Sequence, residues 1–284
     1  MVKKFNVEKN GLLIYPKLFS NNDGNNINGP SLIKVPKWIK SPLGKYYLYF
    51  SHHNGKYIRM AYSDKIIGPY KIYKEGVLHI KNSPGNDHIA SPDVHVDLEN
   101  NIITMFYHTC FNKDQYTFES FSKDGISFKS HNINLGSYYF RVFRFKKQLY
   151  SIAKGFDNYG KIYKKVNNEW KIIYEKLIKN IRHTAILVED DMIYLFYSLI
   201  GDLQESIYCC NLNINNFITT NKYKLLKPTL KYEGYNFPKE NSKIGMEKKF
   251  VNQVRDPGIF INKRDKYLLY SVSGEKGIAI AKLN

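Results

Sequence analysis

Polar and charged residues recur at the start of similar strand-forming segments along this chain. Two of them are the aspartates Asp93 and Asp256, each of which lies next to a proline. Carboxylates, imidazoles and guanidinium groups are costly to remove from water unless they are paired or used for binding or catalysis. The aspartates could do general acid–base chemistry, or arginines could neutralise them in a structural polar cluster. The residues at these positions are Asn28, Asp93, Arg141, Arg182, His183, Arg255 and Asp256.

A second set of polar residues lies in the turns that follow the second strand of the same segments. The set contains Glu205, a third carboxyl beside those of Asp93 and Asp256. The turn residues are His52, His53, His108, Asp202, Glu205 and Glu275. Imidazoles and guanidinium groups near these carboxyls could bind hydroxyls or an anionic group. The predicted ligand-binding residues are His52, His53, His88, His108, Arg141, Arg182, His183 and Arg255.

The histidines do not show the close spacing of a metal-binding motif, so no residue is predicted as a metal ligand. His52 and His53 are adjacent, whereas His88 and His95 are seven residues apart. A cation in a central channel would be compatible with these residues, but the sequence requires no cofactor. The chain also lacks a Walker loop, a dinucleotide-binding fingerprint and a Gly-x-Ser-x-Gly elbow. These absences argue against nucleotide hydrolysis and serine hydrolase chemistry.

The elements that must position these residues are β-strands. Most segments alternate with a period of two and are rich in Tyr, Ile, Val and Phe, and signals of a helix are scarce. Turn signals such as Asn54-Gly55 and Asp124-Gly125 separate them. Clear strands are predicted at residues 45–50, 102–107, 192–197 and 266–270. The pattern is typical of an all-β protein.

The order of strands repeats five times, which favours a five-bladed β-propeller with four-stranded antiparallel blades. The last copy has only three readable strands, so segment 11–15 is expected to supply the fourth, close the ring and remove its free edges. A β-sandwich is the alternative fold, but it gives no reason for a polar group to return to one register five times. The predicted single domain spans 1–284, with blades at about 28–74, 89–131, 136–176, 181–228 and 251–284.

A propeller would bring the two sets of polar residues together. The first strand of each blade lines the central channel, and its start lies on the same face as the turn between strands two and three. The sequence therefore predicts that the carboxyls, imidazoles and guanidinium groups meet at one mouth of the channel.

Length, composition and charge limit the class of protein. The 284 residues include 43 Lys or Arg and 25 Asp or Glu, a formal net charge of +18. The lysines are dispersed in a chain rich in Asn and Ile, so no nucleic-acid partner is predicted, although an anionic carbohydrate would fit the charge. Three cysteines, two of them adjacent, exclude a disulfide scaffold. Without a signal-peptide pattern or an apolar run of about 20 residues, the protein is expected in the cytoplasm without a membrane partner.

Several short motifs are more specific than the strand pattern. Ser63-Asp-Lys-Ile-Ile-Gly-Pro-Tyr70 closes the first blade, and Ser91-Pro-Asp-Val94 opens the second. Segments 28–33, 46–53 and 255–260 carry further motifs. Together they resemble those of five-bladed propeller glycoside hydrolases, namely the family 43 and family 117 group and its uncharacterised relatives. The resemblance covers about residues 11–284 and implies a glycosidase with a carboxylate trio at the channel mouth.

The resemblance also implies roles for two aspartates. In family 43 enzymes an aspartate before a proline at the start of a first strand is the general base, and an aspartate opening the next blade tunes the acid and orients the sugar. Asp256 matches the first pattern and Asp93 the second. The first blade has Gly29-Pro30 where the family places its base. The base is therefore expected in the last blade.

The general acid of the family, a glutamate that opens a later blade, is replaced here by Arg141 and His183. An inverting glycosidase needs a protonated acid and an ionised base about 6.5–9.5 Å apart. Asp256 is expected to stay ionised because Arg255 is its neighbour in sequence, whereas Glu205 has no such neighbour and its pKa could be raised. The candidates for the acid are Glu205, Glu233 and His183.

The sequence thus predicts a glycoside hydrolase-like protein that cleaves a glycosidic bond by carboxylate general acid–base catalysis, without an organic cofactor. One alternative is a non-catalytic carbohydrate-binding propeller, which the altered base and acid positions would favour. Another is a glycoside phosphorylase or transferase, in which arginines at the mouth would hold a phosphate. The sugar, the linkage and the oligomeric state are left open.

Overall fold

The computed structural model describes residues 3–20 and 22–284, and almost all of their regular structure is β-strand. Within these ranges the helical segments are four short 3₁₀ helices, at Pro16–Leu18, Asn22–Asn25, Ile80–Asn82 and Lys231–Glu233. None of the helices in this described part of the chain has the length and apolar character needed to cross a membrane.

The strands form five antiparallel sheets, which are the blades of a β-propeller. The N-terminal strand is β1 (Val7–Ile14). Blade 1 contains β2 (Asn28–Lys34), β3 (Tyr46–Ser51), β4 (Tyr57–Ser63) and β5 (Lys71–His79). Blade 2 contains β6 (Ile89–Asp97), β7 (Ile102–Phe111), β8 (Asp114–Ser122) and the short β9 (Lys129–Ser130) and β10 (Gly136–Ser137).

The remaining three blades follow in chain order. Blade 3 contains β11 (Arg141–Phe145), β12 (Gln148–Lys154), β13 (Gly160–Val166) and β14 (Glu169–Tyr174). Blade 4 contains β15 (Ile181–Glu189), β16 (Met192–Leu199), β17 (Ile207–Leu212) and β18 (Thr219–Leu226). Blade 5 contains β19 (Val254–Asn262), β20 (Asp265–Val272), β21 (Ile278–Leu283) and β1.

The N-terminal strand closes the ring, as the sequence predicts. β1 pairs antiparallel with β21, from Val7 opposite Leu283 to Ile14 opposite Ile278. Beyond this pairing, Asn6 and Asn284 exchange backbone hydrogen bonds of 2.9 and 3.0 Å. The predicted all-β, five-bladed propeller with an N-terminal closing strand is therefore confirmed.

The blade limits differ from the predicted ones in detail. The closing strand spans Val7–Ile14 rather than residues 11–15. Gly136 and Ser137, placed at the start of the third blade by the sequence, instead pair with β8 and extend blade 2. The outer position of blade 2 is thus filled by two short pieces, whose alternating pattern is too brief to read from the sequence.

Apolar side chains pack in five clusters, and each cluster joins two neighbouring blades. Because successive strand residues point to opposite faces, every sheet offers one apolar face to each neighbour. This arrangement accounts for the strong period-two pattern of the inner strands. Residue pairs that share a cluster across the five interfaces are Ile33 with Ile103, Phe106 with Phe140, Ile162 with Leu195, Phe196 with Leu268, and Leu48 with Leu269.

Candidate active site at the mouth of the central channel

β-Bulges near the start of the first strands aim polar groups into the channel. The pairing of first and second strands shifts between Asn28 and Ser31, and again between Ala90 and Asp93. Blades 4 and 5 carry the same irregularity. A bulge adds an unpaired residue and turns its side chain away from the regular direction. The bulges begin at Gly29, Ser91, Arg182 and Asp256.

Three of these bulge residues precede a proline and adopt the left-handed conformation. The φ angles are 62° at Gly29, 55° at Ser91 and 51° at Asp256. For a residue other than glycine this conformation is uncommon and costs on the order of 1–3 kcal/mol, and such strain is concentrated at functional sites. Asp256 is the one acidic residue among the three. Asp93 lies one residue beyond its bulge, so the two predicted aspartates occupy different positions in the channel.

A chain of alternating charges lies behind the mouth. Arg182 Nε contacts Glu205 Oε1 at 2.8 Å, and Glu205 Oε2 contacts Arg255 Nη2 at 3.1 Å. Arg255 Nη1 in turn contacts Glu275 Oε1 at 3.2 Å. All four side chains are almost completely buried. Two arginines and two glutamates therefore neutralise one another in a single buried network.

Asp256 lies beside this network. Among the described residues, no arginine forms an ion pair with it. Its Oδ2 accepts a hydrogen bond from Ser271 Oγ at 3.1 Å, and its Oδ1 lies 3.7 Å from His183 Nε2. Burial, followed by the negative charge of Glu275, raises the pKa of Asp256 to about 6, although Arg255 and Arg182 oppose the shift. The Asp256 residue is only 3% exposed. A protonated aspartic acid is therefore available near neutral pH.

Glu275 faces the same cavity and has the opposite electrostatic character. Its Oε2 accepts hydrogen bonds from the Asn26 amide at 2.5 Å and the Asn28 amide at 3.2 Å. Burial alone would raise the pKa of Glu275, but His53, Arg255 and Asn26 together lower it to about 2. Hydrogen bonds and positive charges that favour the carboxylate produce such a shift. Glu275 is thus held as an anion.

His183 is a neutral imidazole between these groups. Its Nδ1 lies 3.5 Å from Arg141 Nη2, which can only donate, so the ring proton is assigned to Nε2, the nitrogen that faces Asp256. Burial, reinforced by Arg141, lowers the pKa of His183 well below the ordinary value. The Tyr139 ring stacks on the imidazole with centroids 3.8 Å apart. The stack fixes the ring plane and covers it on one side.

The cavity that these groups enclose is small, with a volume of about 10 Å³. This volume is about the space of one water molecule, which suits a single hydroxyl group rather than a whole sugar ring. Apart from Ala90, its lining consists of polar side chains and the stacked tyrosine. The lining residues are Asn28, His53, Ala90, Ser91, His108, Tyr139, Arg182, His183, Asp256 and Glu275.

Aromatic side chains continue outward from the cavity on the side of blades 2 and 3. The Tyr138 ring contacts Tyr139 at 4.7 Å and Phe156 at 5.6 Å between centroids. Phe156 also contacts Tyr116 at 5.6 Å. Phe156 is 53% exposed, which is unusual for so large an apolar residue. We call Tyr116, Tyr138 and Phe156 the aromatic rim.

Asp93 lies in a second, deeper cavity of about 70 Å³. Its Oδ2 accepts hydrogen bonds from His95 Nε2 and from the backbone N–H of Val142, each at 2.8 Å. Burial alone would raise the pKa of Asp93, but His95, Arg141 and the Val142 N–H together lower it. Because Val142 belongs to blade 3, Asp93 links two blades. Its predicted catalytic role stays a prediction.

The structure divides the other predicted site residues between the cavity and its surroundings. His53, His108, Arg182 and His183 line the cavity, whereas Arg255 lies behind it in the charge network. The remaining residues are held in contacts outside the small cavity. Arg141 donates to the carbonyls of Ser91 and Pro92, His52 accepts from the Asn54 N–H, and His88 contacts His108.

The two glutamates predicted as acids are both engaged elsewhere. Glu205 is fully buried between Arg182 and Arg255. Glu233 is fully buried outside the cavity, where it accepts hydrogen bonds from Lys9 and Tyr270 at 2.5 and 2.8 Å and from two backbone N–H groups. Proton donation by either residue would require it to lose cationic or hydrogen-bonded partners. Neither glutamate lines the small cavity, whereas Asp256 and His183 do.

Arg255 favours the ionised form of Asp256, but burial and the charge of Glu275 outweigh it and raise the pKa of Asp256 to about 6. The Arg255 guanidinium points to Glu205 and Glu275, because consecutive residues at the start of a bulge point in different directions. Sequence reasoning placed Glu275 near the mouth but gave it no catalytic role. Its contacts with His53, Arg255 and Asn26, which lower its pKa, are visible only in the structure. Sequence reasoning also did not identify Tyr139 as a site residue. The one sequence signal for it is its position just before the first strand of blade 3.

One group of metal-binding donors occurs among the described residues, outside the cavity. It consists of Asp87, His88 and Cys110, whose ligand atoms all lie within 4.8 Å of one another. The histidine spacing did not indicate this group because it contains only one histidine. His88 also contacts His108 of the cavity lining, with 3.3 Å between their Nε2 atoms.

Comparison with known structures identifies the fold. A putative glycoside hydrolase from Bacteroides ovatus superposes with a TM-score of 0.69 and 13% identity, over 99% of this chain and 96% of that one. The family 43 GH43_1 enzyme from Xanthomonas citri, complexed with xylotriose, superposes with a TM-score of 0.66 and 12% identity, over 98% and 89%. The chain therefore has the five-bladed propeller fold of family 43-type glycoside hydrolases, and the predicted resemblance is confirmed at this level.

Sequence comparison adds a relative. No family model matches the chain. Uncharacterized protein R118 of Acanthamoeba polyphaga mimivirus is 33% identical over 301 aligned positions, which cover 91% of this chain and 83% of that protein. The chain belongs to the same family as this mimivirus protein.

Proposed function

We propose that this propeller is a glycoside hydrolase whose reaction takes place at the small cavity of the channel mouth. The observation that carries the proposal is a pair of buried carboxyl groups on one cavity whose surroundings shift their pKa values in opposite directions. The pKa of Asp256 is raised to about 6, whereas that of Glu275 is lowered to about 2. Two carboxyls whose environments separate their pKa values are the usual signature of paired acid and base functions. The solved propellers of similar fold that are described as glycoside hydrolases support the same class of reaction.

The proposed roles follow from these protonation states. Protonated Asp256 gives its proton to the glycosidic oxygen as the bond to the leaving group breaks. A water molecule then adds to the anomeric carbon and returns one proton to the Asp256 carboxylate, which restores the acid. Ionised Glu275 stabilises the positive charge that develops on the sugar. His183 carries a proton on the nitrogen that faces Asp256 and can donate a hydrogen bond to that carboxylate once its own proton has left. Ser271 orients the other oxygen of Asp256.

The aromatic rim supports a carbohydrate as the substrate. The cavity has room for one substrate oxygen, which in this proposal is the glycosidic oxygen, so the sugar rings lie outside it, against Tyr138 and Phe156. Flat apolar ring faces with exposed polar edges suit stacking on a sugar face. The phosphorylase alternative is less favoured, since Arg182 and Arg255 are already matched by Glu205 and Glu275.

The experiment is a screen of aryl glycosides and short oligosaccharides with the unmodified protein and the variants Asp256→Asn and Glu275→Gln. The matched control is Asp265→Asn, an exposed blade 5 aspartate that pairs with Lys282. Release of sugar should be lost in the two cavity variants and retained in the control. Thermal melting of each variant checks that the protein is still folded.

Three other outcomes would contradict the proposal or part of it. If no substrate is cleaved but a sugar raises the melting temperature, and Phe156→Ala abolishes that rise, the protein is a carbohydrate-binding propeller without catalysis. If cleavage is retained in Asp256→Asn, the proposed acid is wrong. If the panel shows neither cleavage nor binding, carbohydrates are removed from consideration as substrates or ligands.

A further inference from the structure

We propose that Asp87, His88 and Cys110 form a zinc-binding site beside the channel mouth. The donor atoms are one carboxylate oxygen, one imidazole nitrogen and one thiol sulfur. All three types are zinc ligands, and a thiolate with an imidazole selects zinc over magnesium or calcium. The site is separate from the carboxyl pair of the cavity and does not depend on the proposed glycosidase activity.

The distances between the donor atoms match a tetrahedral zinc ion. Zinc bonds of about 2.3 Å to sulfur and about 2.0–2.1 Å to nitrogen or oxygen give tetrahedral edges of about 3.5 Å to sulfur and about 3.3 Å between nitrogen and oxygen. Cys110 Sγ lies 3.5 Å from His88 Nδ1, and His88 Nδ1 lies 3.1 Å from Asp87 Oδ2. The third edge, from Cys110 Sγ to Asp87 Oδ2, is 3.9 Å. A shift of a few tenths of an ångström would complete the geometry.

The backbone holds His88 and Cys110 opposite each other. Ile89 of β6 pairs with Thr109 of β7, so the next residues along the two strands face one another across the sheet end. Thr109 Oγ1 donates to the His88 carbonyl at 2.6 Å, and the Asn86 N–H donates to the Cys110 carbonyl at 3.1 Å. The two ligands therefore need little ordering when a metal binds.

The second nitrogen of His88 has the partner that a metal-bound histidine needs. Its Nε2 lies 3.3 Å from His108 Nε2, and the His88 side chain is only 5% exposed. A metal on Nδ1 requires the ring proton on Nε2, from which it can be donated to His108. Such outer partners fix the tautomer and orientation of a ligating histidine. His108 is thus a positioning residue for the site.

Charge and exposure also fit a zinc ion with an open position. A thiolate and a carboxylate neutralise the two positive charges of zinc. Lys56 contacts Asp87 Oδ1, which leaves Oδ2 for the metal, and this exposed ion pair is weak. The Asp87 side chain is 64% exposed, so solvent reaches the site. Three protein ligands plus one water or substrate oxygen is the pattern of zinc sites that act on a ligand rather than only stabilise a fold.

The test uses untagged, reduced protein and Co²⁺ as a spectroscopic probe for Zn²⁺. We expect one Co²⁺ to bind per chain with a thiolate-to-cobalt charge-transfer band, and Zn²⁺ to displace it. Cys110→Ser and His88→Gln should lose the band and bind more than about 100-fold more weakly, a larger effect than the about 10–100-fold expected for the outer partner in His108→Gln. The exposed His131→Gln is the matched control and should bind normally.

A second measurement keeps the proposal testable if a variant does not fold. Cys110 is partly exposed, whereas Cys209 and Cys210 are buried, so alkylation of the native protein reports on Cys110. Zn²⁺ should protect Cys110 from alkylation in the unmodified protein. Binding of Co²⁺ without a thiolate band, or alkylation of Cys110 at an unchanged rate in Zn²⁺, would overturn the site. Neither result bears on cleavage of a sugar.

Discussion

At the residue scale, the pKa values of Asp256 and Glu275 shift in opposite directions, because Arg255 forms an ion pair with Glu275 and not with Asp256. The side chain of Arg255 is committed to Glu205 and Glu275. Asp256, its neighbour in sequence, has a hydroxyl and a neutral imidazole as its nearest partners. A second negative charge beside an ionised glutamate is unfavourable in a buried site. The pKa of Asp256 is therefore raised to about 6, and the carboxyl holds its proton below that pH.

The pH dependence of turnover should report the proton on Asp256. Because the pKa of this carboxyl is about 6, the protonated fraction and kcat/KM should fall about tenfold per pH unit above that value. A pH–rate profile from pH 5 to 9 measures this limb, and a flat profile between pH 6 and 8 would contradict it. The charged or titratable groups that face Asp256 are Glu275, Arg255, Arg182, Glu205 and His183.

Phe156 should affect substrate binding more than the chemical step. The ring is on the aromatic rim, and it contacts Tyr138 and Tyr116 rather than the carboxyls. Phe156→Ala should therefore raise KM or Kd about 5–50-fold, from a stacking loss of about 1–2 kcal/mol, and leave kcat within about twofold. Ile133→Ala, which removes another exposed apolar side chain, is the control. A large fall in kcat with unchanged KM would place Phe156 in the chemistry.

The sequence could predict part of this site. The recurring polar residues before the inner strands identified Asp256 and His183, since a repeat brings equivalent positions to one axis. The protonation states could not be predicted, because they depend on where the Arg255 side chain points and on the amides of Asn26 and Asn28. These contacts join residues about 250 positions apart, and no local pattern carries them.

At the scale of elements, the charge network ties the hairpin of blade 4 to the first strands of blades 4 and 5. Glu205, between β16 and β17, contacts Arg182 of β15 and Arg255 of β19. Glu205→Gln would remove the negative charge that pairs with the two buried arginines. Removal of one member of a buried ion pair lowers the free energy of unfolding by about 3–5 kcal/mol. Urea unfolding measures this loss.

The same variant separates a structural role for Glu205 from the role of acid. If Glu205→Gln keeps its stability but loses cleavage of poor leaving groups more than that of activated aryl glycosides, Glu205 is the acid after all. Lys3→Ala, which removes a partly exposed partner of Glu189, is the control for an ion pair at the surface. It should cost less than about 1 kcal/mol.

Polar contacts supplement a small apolar cluster between blades 2 and 3. Their apolar cluster has four fully buried members, Phe106, Phe140, Ala153 and Tyr163, whereas each of the other four clusters has at least twelve in the described chain. Asp93 and Arg141 supplement this interface by bonding across it.

Asp93→Asn should therefore weaken the joint between these blades. Loss of charged hydrogen bonds to Val142 and His95 should cost about 1.5–3 kcal/mol at pH 7. Because the pKa of Asp93 is lowered in the folded protein, its stabilising effect is present at higher pH and lost on acidification. The difference from the unmodified protein should shrink as the pH falls below 3.8, the ordinary value. A difference that does not change with pH would contradict this account.

At the scale of the whole molecule, the repeat predicted the ring better than it predicted the blades. Five returns of one strand order indicate five blades, and the missing strand of the last blade indicates closure by the N-terminal segment. The split outer strand of blade 2 could not be predicted, because pieces of two residues show no periodicity. Outer strands are also half-exposed, so their burial constrains the sequence less than that of the inner strands.

Closure of the ring should be essential for folding. Leu13 and Ile14 of β1 are buried in the cluster between blades 5 and 1, while Phe5 just before it packs between blades 4 and 5. Losing such side chains costs about 2–5 kcal/mol each. The total stability of a domain is about 5–15 kcal/mol. Removal of residues 1–14 should therefore abolish cooperative thermal unfolding, and it would also expose β21 as a free edge that invites aggregation.

A peptide of residues 1–15 added to the shortened chain distinguishes ring closure from a general folding defect. If β1 acts as the closing strand, the peptide should restore a cooperative transition at a concentration-dependent melting temperature. A peptide with Ile14→Ala should rescue poorly, because Ile14 is fully buried, whereas Tyr15→Ala, at a 36% exposed residue, should rescue normally. A shortened chain that melts like the full one would show that the ring is stable open. In that case the packing between the blades would suffice, without β1, to hold the five blades together.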